Sequence, residues 1–149
     1  MVERKDLMEQ PTPKTYRSIF QAKLESLNEM MQWVREHSSE AGFSVEETRK
    51  LELAMEEALV NVIQHAYKEE KGPIEIICTI PSEKWIQFTI MDKGQPFNPL
   101  LQSKKIDLQK SLEERPEGGV GILLILQYMD EVHYERQHSY NVLTLIKKT

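Results

Sequence analysis

The stretch from 44 to 68 constrains this chain more than any other. Ser44 followed by Glu47 has the spacing of a capping box, and no proline or glycine interrupts the run before Gly72, so the pattern predicts one long helix. At about 100° per residue, Leu51, Ala54, Met55, Ala58, Leu59, Val62 and Ala66 share a broad apolar arc, and Leu53 and Val60 a narrower one. Glu57, Asn61 and His65 follow one another at single-turn spacing in the gap between the arcs. A carboxylate and an amide beside a buried stripe require hydrogen-bond partners or a ligand. They either cap backbone groups over a wet crevice or line a binding cavity.

A chain of 149 residues fits one domain with a real core, since this size buries roughly two-thirds of the unfolded chain's surface. A formal net charge of -5, without a Lys/Arg cluster, argues against direct nucleic-acid binding. The longest apolar run, 122–126, is too short to span a bilayer, and the acidic first residues do not form a secretion signal. Cys78 is the only cysteine, so disulfide scaffolding within the chain is excluded; a buried inert thiol in a reducing cytoplasm is expected.

In chain order, residues 1–13 read as a flexible arm and 14–149 as a single domain. A short strand is expected at 16–20 and a helix at 24–37, with Gly42 in the turn after it. Met30, Met31 and Trp33 on that helix belong either to the core or to a partner surface. Residues 74–80 and 85–91 alternate across a turn at 81–84 and form an antiparallel hairpin. Asp92 closes it, and Gly94, Pro96 and Pro99 mark an irregular exit. The weakly patterned stretch 98–117 has the length of a functional loop or lid. Gly118, Gly119 and Gly121 lead into a helix ending near Met129, and 132–136 with 141–147 make a second hairpin, with Val132 and Tyr134 paired to Leu143 and Leu145. The order predicts an α+β fold: a two-layer α/β sandwich, its sheet mixed but mainly antiparallel, with helices on one face.

The glycines before the last helix permit close backbone approach, so N–H groups and the helix N-terminus could surround phosphate oxygens. The chain has neither a Walker phosphate loop nor a dinucleotide fingerprint, so a nucleotide would have to bind another way. Asp92 could accept a hydrogen bond from an amino group or cap its turn, and Gly94 would admit a flat ring. Asn61 offers an amide oxygen to Mg²⁺, and Glu57, one turn away, could orient a water or accept a hydroxyl proton.

Taken together, Glu56-Glu57-Ala58-Leu59-Val60-Asn61-Val62-Ile63-Gln64-His65-Ala66-Tyr67, Asp92-Lys93-Gly94-Gln95-Pro96-Phe97-Asn98-Pro99 and Pro116-Glu117-Gly118-Gly119-Val120-Gly121-Ile122-Leu123-Leu124-Ile125 resemble the three boxes of the gyrase, heat-shock-protein-90, histidine-kinase and MutL-type ATPase superfamily. The resemblance is closest to the stand-alone serine-kinase anti-sigma factors of bacteria and covers residues 14–148. It implies a Bergerat-type ATP-binding fold. Asn61 then resembles the Mg²⁺ ligand, Glu57 the catalytic base, and Asp92 the adenine-reading carboxylate, with Gly94 beside the base. Gly118-Gly119-Val120-Gly121 resembles the phosphate-holding turn at the end of the lid, and Thr144 the strand threonine near the adenine water network. His65 matches a position that orders the helix or nearby phosphates, or is simply a satisfied, partly buried histidine. Lys104, Lys105, Lys110 and Arg115 of the lid are candidates to reach phosphate. Pro96 stands where the second box usually has a glycine.

The activity implied is MgATP-dependent phosphorylation of a serine or threonine on a small anti-anti-sigma-like protein. An RNA polymerase sigma factor is the second implied partner, and a homodimer the implied assembly. The alternative is a non-catalytic regulator whose partner affinity follows nucleotide occupancy.

Overall fold

The computed structural model describes residues 13–67, 72–101 and 119–149. Residues 1–12 of the expected arm, the lid from 102 onward with its basic residues, and Gly118 lie outside these described residues.

The order is β1 (Lys14–Gln21), a 3₁₀ turn (Leu24–Ser26), α1 (Leu27–Ser38), α2 (Val45–His65), β2 (Pro73–Ser82), β3 (Trp85–Asp92), α3 (Gly119–Tyr128), β4 (Glu131–Gln137) and β5 (Tyr140–Lys148). The strands form one sheet in the order β1-β2-β3-β5-β4, and all pairings are antiparallel, so the parallel component allowed by a mixed sheet is not used. The helices cover one face.

Alternation sets this arrangement. Ile74, Ile76, Cys78 and Ile80 of β2, with Ile86, Phe88 and Ile90 of β3 and Leu143 and Leu145 of β5, are buried beneath the helices. Each such side chain contributes about 1.5–3 kcal/mol on burial, and a one-residue slip would turn a whole strand's set to the other face. The second hairpin takes the expected register, Val132 against Leu145 and Tyr134 against Leu143. The first is tighter than expected: β2 runs through Ser82, a bulge lies between Thr79 and Ser82, and Lys84 takes φ 57 in the turn. Pro81 has no N–H to give a ladder, which suits an irregularity there.

α2 begins with the expected capping box: Ser44 Oγ accepts from Glu47 N–H at 3.1 Å, and Glu47 Oε1 accepts from Ser44 N–H at 3.2 Å. Its broad apolar arc is buried, while Leu53 on the narrower arc is 43% exposed. Met30 and Met31 join the core, and Trp33 packs edge-on against Phe20, which settles them as packing residues. Cys78 is fully buried and its thiol is pushed up to about 12, foremost by burial. Gly42 follows a second 3₁₀ turn, Ser39–Ala41, after α1, with φ 83, where glycine carries no steric penalty.

Candidate active site

The buried stripe on the inner face of the sheet changes character at one end. Asp92, in phase with Ile86, Phe88 and Ile90, is the last residue of β3, and Asn141, in phase with Leu143 and Leu145, pairs with it on β5. Both are buried, 2% and 3% exposed.

The C-terminus of α2 meets the sheet at this end. A helix leaves its last carbonyls without intrahelical partners. Here Gln95 supplies them: its N–H donates to Ala66 O at 2.9 Å and its Nε2 to His65 O at 3.1 Å. The approach brings Gly94 onto the helix end, where a Cβ would collide with the Ala66 carbonyl. His65 is stacked on Phe97, with ring centroids 4.8 Å apart. Tyr67 fastens the exit from α2, its hydroxyl donating to Pro73 O at 2.7 Å and accepting from Lys93 N–H at 2.9 Å.

Asp92 is held asymmetrically. Gly94 N–H and Asn141 Nδ2 both donate to its Oδ1, at 2.8 and 2.9 Å. Among the described residues, no side chain or backbone group donates to Oδ2 by the same geometry. Among the described residues, Nδ1 of His37 is the one polar side-chain atom sealed from solvent without a partner, so Asp92 Oδ2 is not fully sealed from solvent. Burial pushes the Asp92 carboxyl above its ordinary range, opposed by the bonds from Asn141 and Gly94 and by the Arg136 charge. A hydrogen-bond donor presented by a ligand at Oδ2 would relieve that cost.

Glu57 and Asn61 stand one turn apart on α2, on the side packed against α3. Asn61 is 3% exposed. The Glu57 carboxylate reaches Gly121 in the first turn of α3, where a Cβ would collide with Oε2. Burial raises Glu57, with Glu56 adding to the effect. Gly119 begins α3 and Val120 follows, so the glycine segment forms the N-terminal turn whose free N–H groups and dipole favour anions. No cluster of three or more His, Cys, Asp or Glu among the described residues forms a cage for a metal. Asn61 with Glu57 fits a Mg²⁺ held chiefly by phosphate oxygens and water.

The fold thus brings α2 to both glycine boxes: Glu57 meets Gly121, and Ala66, at the C-terminal cap, meets Gly94. Thr144 does not join them. It pairs with Thr89 and His133 in the opposite phase from Asp92, on the face of the sheet away from the helices. Asn141 takes the place beside Asp92 instead. A polar residue in phase with Leu143 and Leu145 was the available signal.

The sequence pattern of the histidine kinase-like ATPase domain matches residues 20–147. The chain belongs to that family. Histidine kinase-like ATPase relatives among curated proteins include the serine-protein kinase RsbW of Bacillus mycoides, 31% identical over 105 residues, 68% of this chain and 65% of the relative. That of one Bacillus cereus strain is 31% identical over 109 residues, 71% of this chain and 68% of the relative. The chain therefore spans about two-thirds of the length of these relatives. Among solved structures, the RsbU and RsbW domains of Rv1364c from Mycobacterium tuberculosis share the fold with TM-score 0.63 and 14% identity, covering 91% of this chain and 32% of that one. The histidine kinase domain of the Erythrobacter litoralis EL346 blue-light activated kinase does so at 0.52 and 14%, covering 83% and 59%. The two-layer sandwich is the architecture of this ATPase family, and kinase-type use of ATP is the activity its relatives carry.

Proposed function

We propose that the chain is a MgATP-dependent serine/threonine protein kinase of a partner-switching circuit, acting on a small anti-anti-sigma-like protein. The observation that carries this reading is the contact of Glu57 with Gly121, which sets a half-buried carboxylate beside a helix N-terminus suited to phosphate.

Asp92 Oδ2 accepts a hydrogen bond from the amino group of adenine, with Gly94 beneath the ring and Phe97 stacked on His65 nearby. Gly118, Gly119, Val120 and Gly121 hold phosphate oxygens through their backbone. Asn61 would hold Mg²⁺, which would neutralise charge on the phosphates when bound. Glu57 accepts the proton of the substrate hydroxyl as its oxygen bonds to the γ-phosphorus; the bond to the bridging oxygen breaks and ADP leaves. A carboxylate raised by burial is a better proton acceptor near neutral pH than an ordinary one. Thr144 has no part in this scheme.

A sigma factor as second partner, a homodimer and a cytoplasmic setting complete the proposal. The dimer is supported by β1, which among the described residues is an edge strand paired on one side only, with Ile19 65% exposed. No helix among the described residues is long and apolar enough to cross a membrane.

The test is incubation with labelled ATP, Mg²⁺ and the anti-anti-sigma-like proteins of the same cell. Label on a substrate serine or threonine supports the kinase; ATP binding without transfer to any of them overturns it in favour of a nucleotide-sensitive binding regulator.

A further inference from the structure

Asn141 is the most heavily used side chain of the site, and nothing in the scheme above gives it a task. Its Nδ2 donates to Asp92 Oδ1 at 2.9 Å and to Gln95 O at 2.8 Å. Its Oδ1 accepts from Phe97 N–H at 3.1 Å and from the Tyr134 hydroxyl. Both ends of the amide are therefore engaged, and the four partners come from β3, the exit loop and β4.

We infer that Asn141 is the positioning residue of the base site: by occupying Asp92 Oδ1 it leaves Oδ2 as the oxygen open to a further donor, and by holding Gln95 and Phe97 it fixes the exit loop at the same time. The inference rests on the nucleotide reading for its ligand but not for its geometry.

The argument is one of hydrogen-bond capacity. A carboxylate with two equivalent free oxygens can rotate about its terminal torsion and present either one to a ligand. Two donors on Oδ1 remove that freedom, and one of them, Gly94 N–H, belongs to the loop that Asn141 itself anchors through Gln95 and Phe97. Arg136, the register partner of Asn141 on β4, donates from Nη1 to Gly94 O at 2.8 Å and adds a further tie to the loop. An amide is the side chain that can do this, because it donates to a carboxylate and a carbonyl while accepting from an N–H and a hydroxyl. A hydroxyl has one proton to give, and a carboxylate has none when ionised and would face Asp92 with like charge. Asn141 thus makes base recognition and the path of the chain toward 98–101 parts of one structure.

The variants Asn141→Asp, Asn141→Ala and Asn141→Ser separate the possibilities, with near-ultraviolet circular dichroism and Tm checking that each is folded. The Asp92 carboxyl carbon is titrated by NMR in labelled protein without nucleotide; Arg136, Lys93 and Tyr67 surround it and are unchanged across the series. The expected result is an upward displacement of the Asp92 titration in Asn141→Asp and Asn141→Ala, with Asn141→Ser between them and wild type. In the kinase assay, KM for ATP rises about tenfold in Asn141→Ala while kcat at saturating ATP stays within about threefold, and the preference for ATP over GTP shrinks. Folded variants whose Asp92 titration matches wild type overturn the proposal, as does an equal fall of kcat with unchanged KM and base preference. Absence of ATP binding in the wild type would overturn the nucleotide reading alone, since the carboxyl titration then still decides whether Asn141 controls Asp92.

Discussion

Oε2 of Glu57 lies so close to Gly121 that the position could not carry even a methyl group without displacing the carboxylate. The obstacle is the far end of a flexible side chain, so Gly121→Ala is expected to fold, and alanine inside a helix is favoured over glycine by about 1 kcal/mol. Tm should hold or rise. Phosphoryl transfer should fall by about tenfold to a hundredfold, because the proposed base is pushed off its position. Thermal melting and labelled-ATP turnover on the same sample check the opposition; unchanged turnover would separate Glu57 from the glycine turn in the working enzyme.

Gly94→Ala should behave differently. Here the obstacle is the backbone carbonyl of Ala66, which also accepts from Gln95 N–H and cannot swing aside. The variant is expected to lose stability by about 1–3 kcal/mol and to lose ATP binding with it. Urea denaturation and calorimetric titration measure the two; a stable variant with full ATP affinity would show that the loop moves off the helix end at little cost.

Both glycines were legible as signals of close approach, but not what approaches them. The alternation of β2 and β3, the arc of α2 and its capping box are local patterns, and the fold follows them closely. What the strands bring together depends on register, which is set between residues far apart in the chain. Asp92 faces Asn141, 49 positions on, and Thr144 faces Thr89. Thr144 is out of phase with Leu143 and Leu145, so the alternation already placed it on the outer face. Asn141, in phase with them, was a polar residue at a core position and could have been found by the same reasoning that singled out Asn61.

The raised Asp92 carboxyl gives stability and binding opposite dependences on pH. A carboxyl whose folded-state pKa lies above its unfolded value binds more protons in the folded state, so its contribution is full below the ordinary value of 3.8 and is lost as pH rises through the raised value. Binding that needs the ionised form rises over that same window. Asp92→Asn should therefore be at least as stable as wild type at pH 7 while failing to bind ATP. Melting curves and ATP titrations from pH 4 to about pH 8 check this, and a variant destabilised at pH 7 would mean that the buried charge is a net support of the fold.

Ser44→Ala removes one half of the capping box at the end of α2 remote from Asn61. Loss of an N-cap side chain costs about 1 kcal/mol, or roughly 2–4 °C in Tm for a domain of this size. Because the helix stays packed along its whole length, ATP affinity and turnover are expected to match wild type. A fall in turnover larger than the fall in folded fraction would show that the helix start influences the site through α2 itself.

Glu57→Gln and Asn61→Ala divide catalysis from binding along a single turn of α2. Glutamine keeps the size of Glu57 and its fit against Gly121 but cannot take a proton, so transfer should fall by about 10² to 10⁴ while ATP affinity stays within about threefold. Asn61→Ala removes the amide oxygen proposed as ligand to the cation, so ATP affinity in Mg²⁺ should drop toward the value measured with the metal chelated, and turnover with it. Removing Glu57's charge also removes a half-buried carboxylate raised by its surroundings, so Glu57→Gln should not lose stability at pH 7. Titration calorimetry with and without Mg²⁺, set beside single-turnover transfer, reads both variants. If Glu57→Gln retained wild-type transfer, Glu57 would not be the base; if Asn61→Ala retained Mg²⁺-dependent affinity, the cation would be held elsewhere.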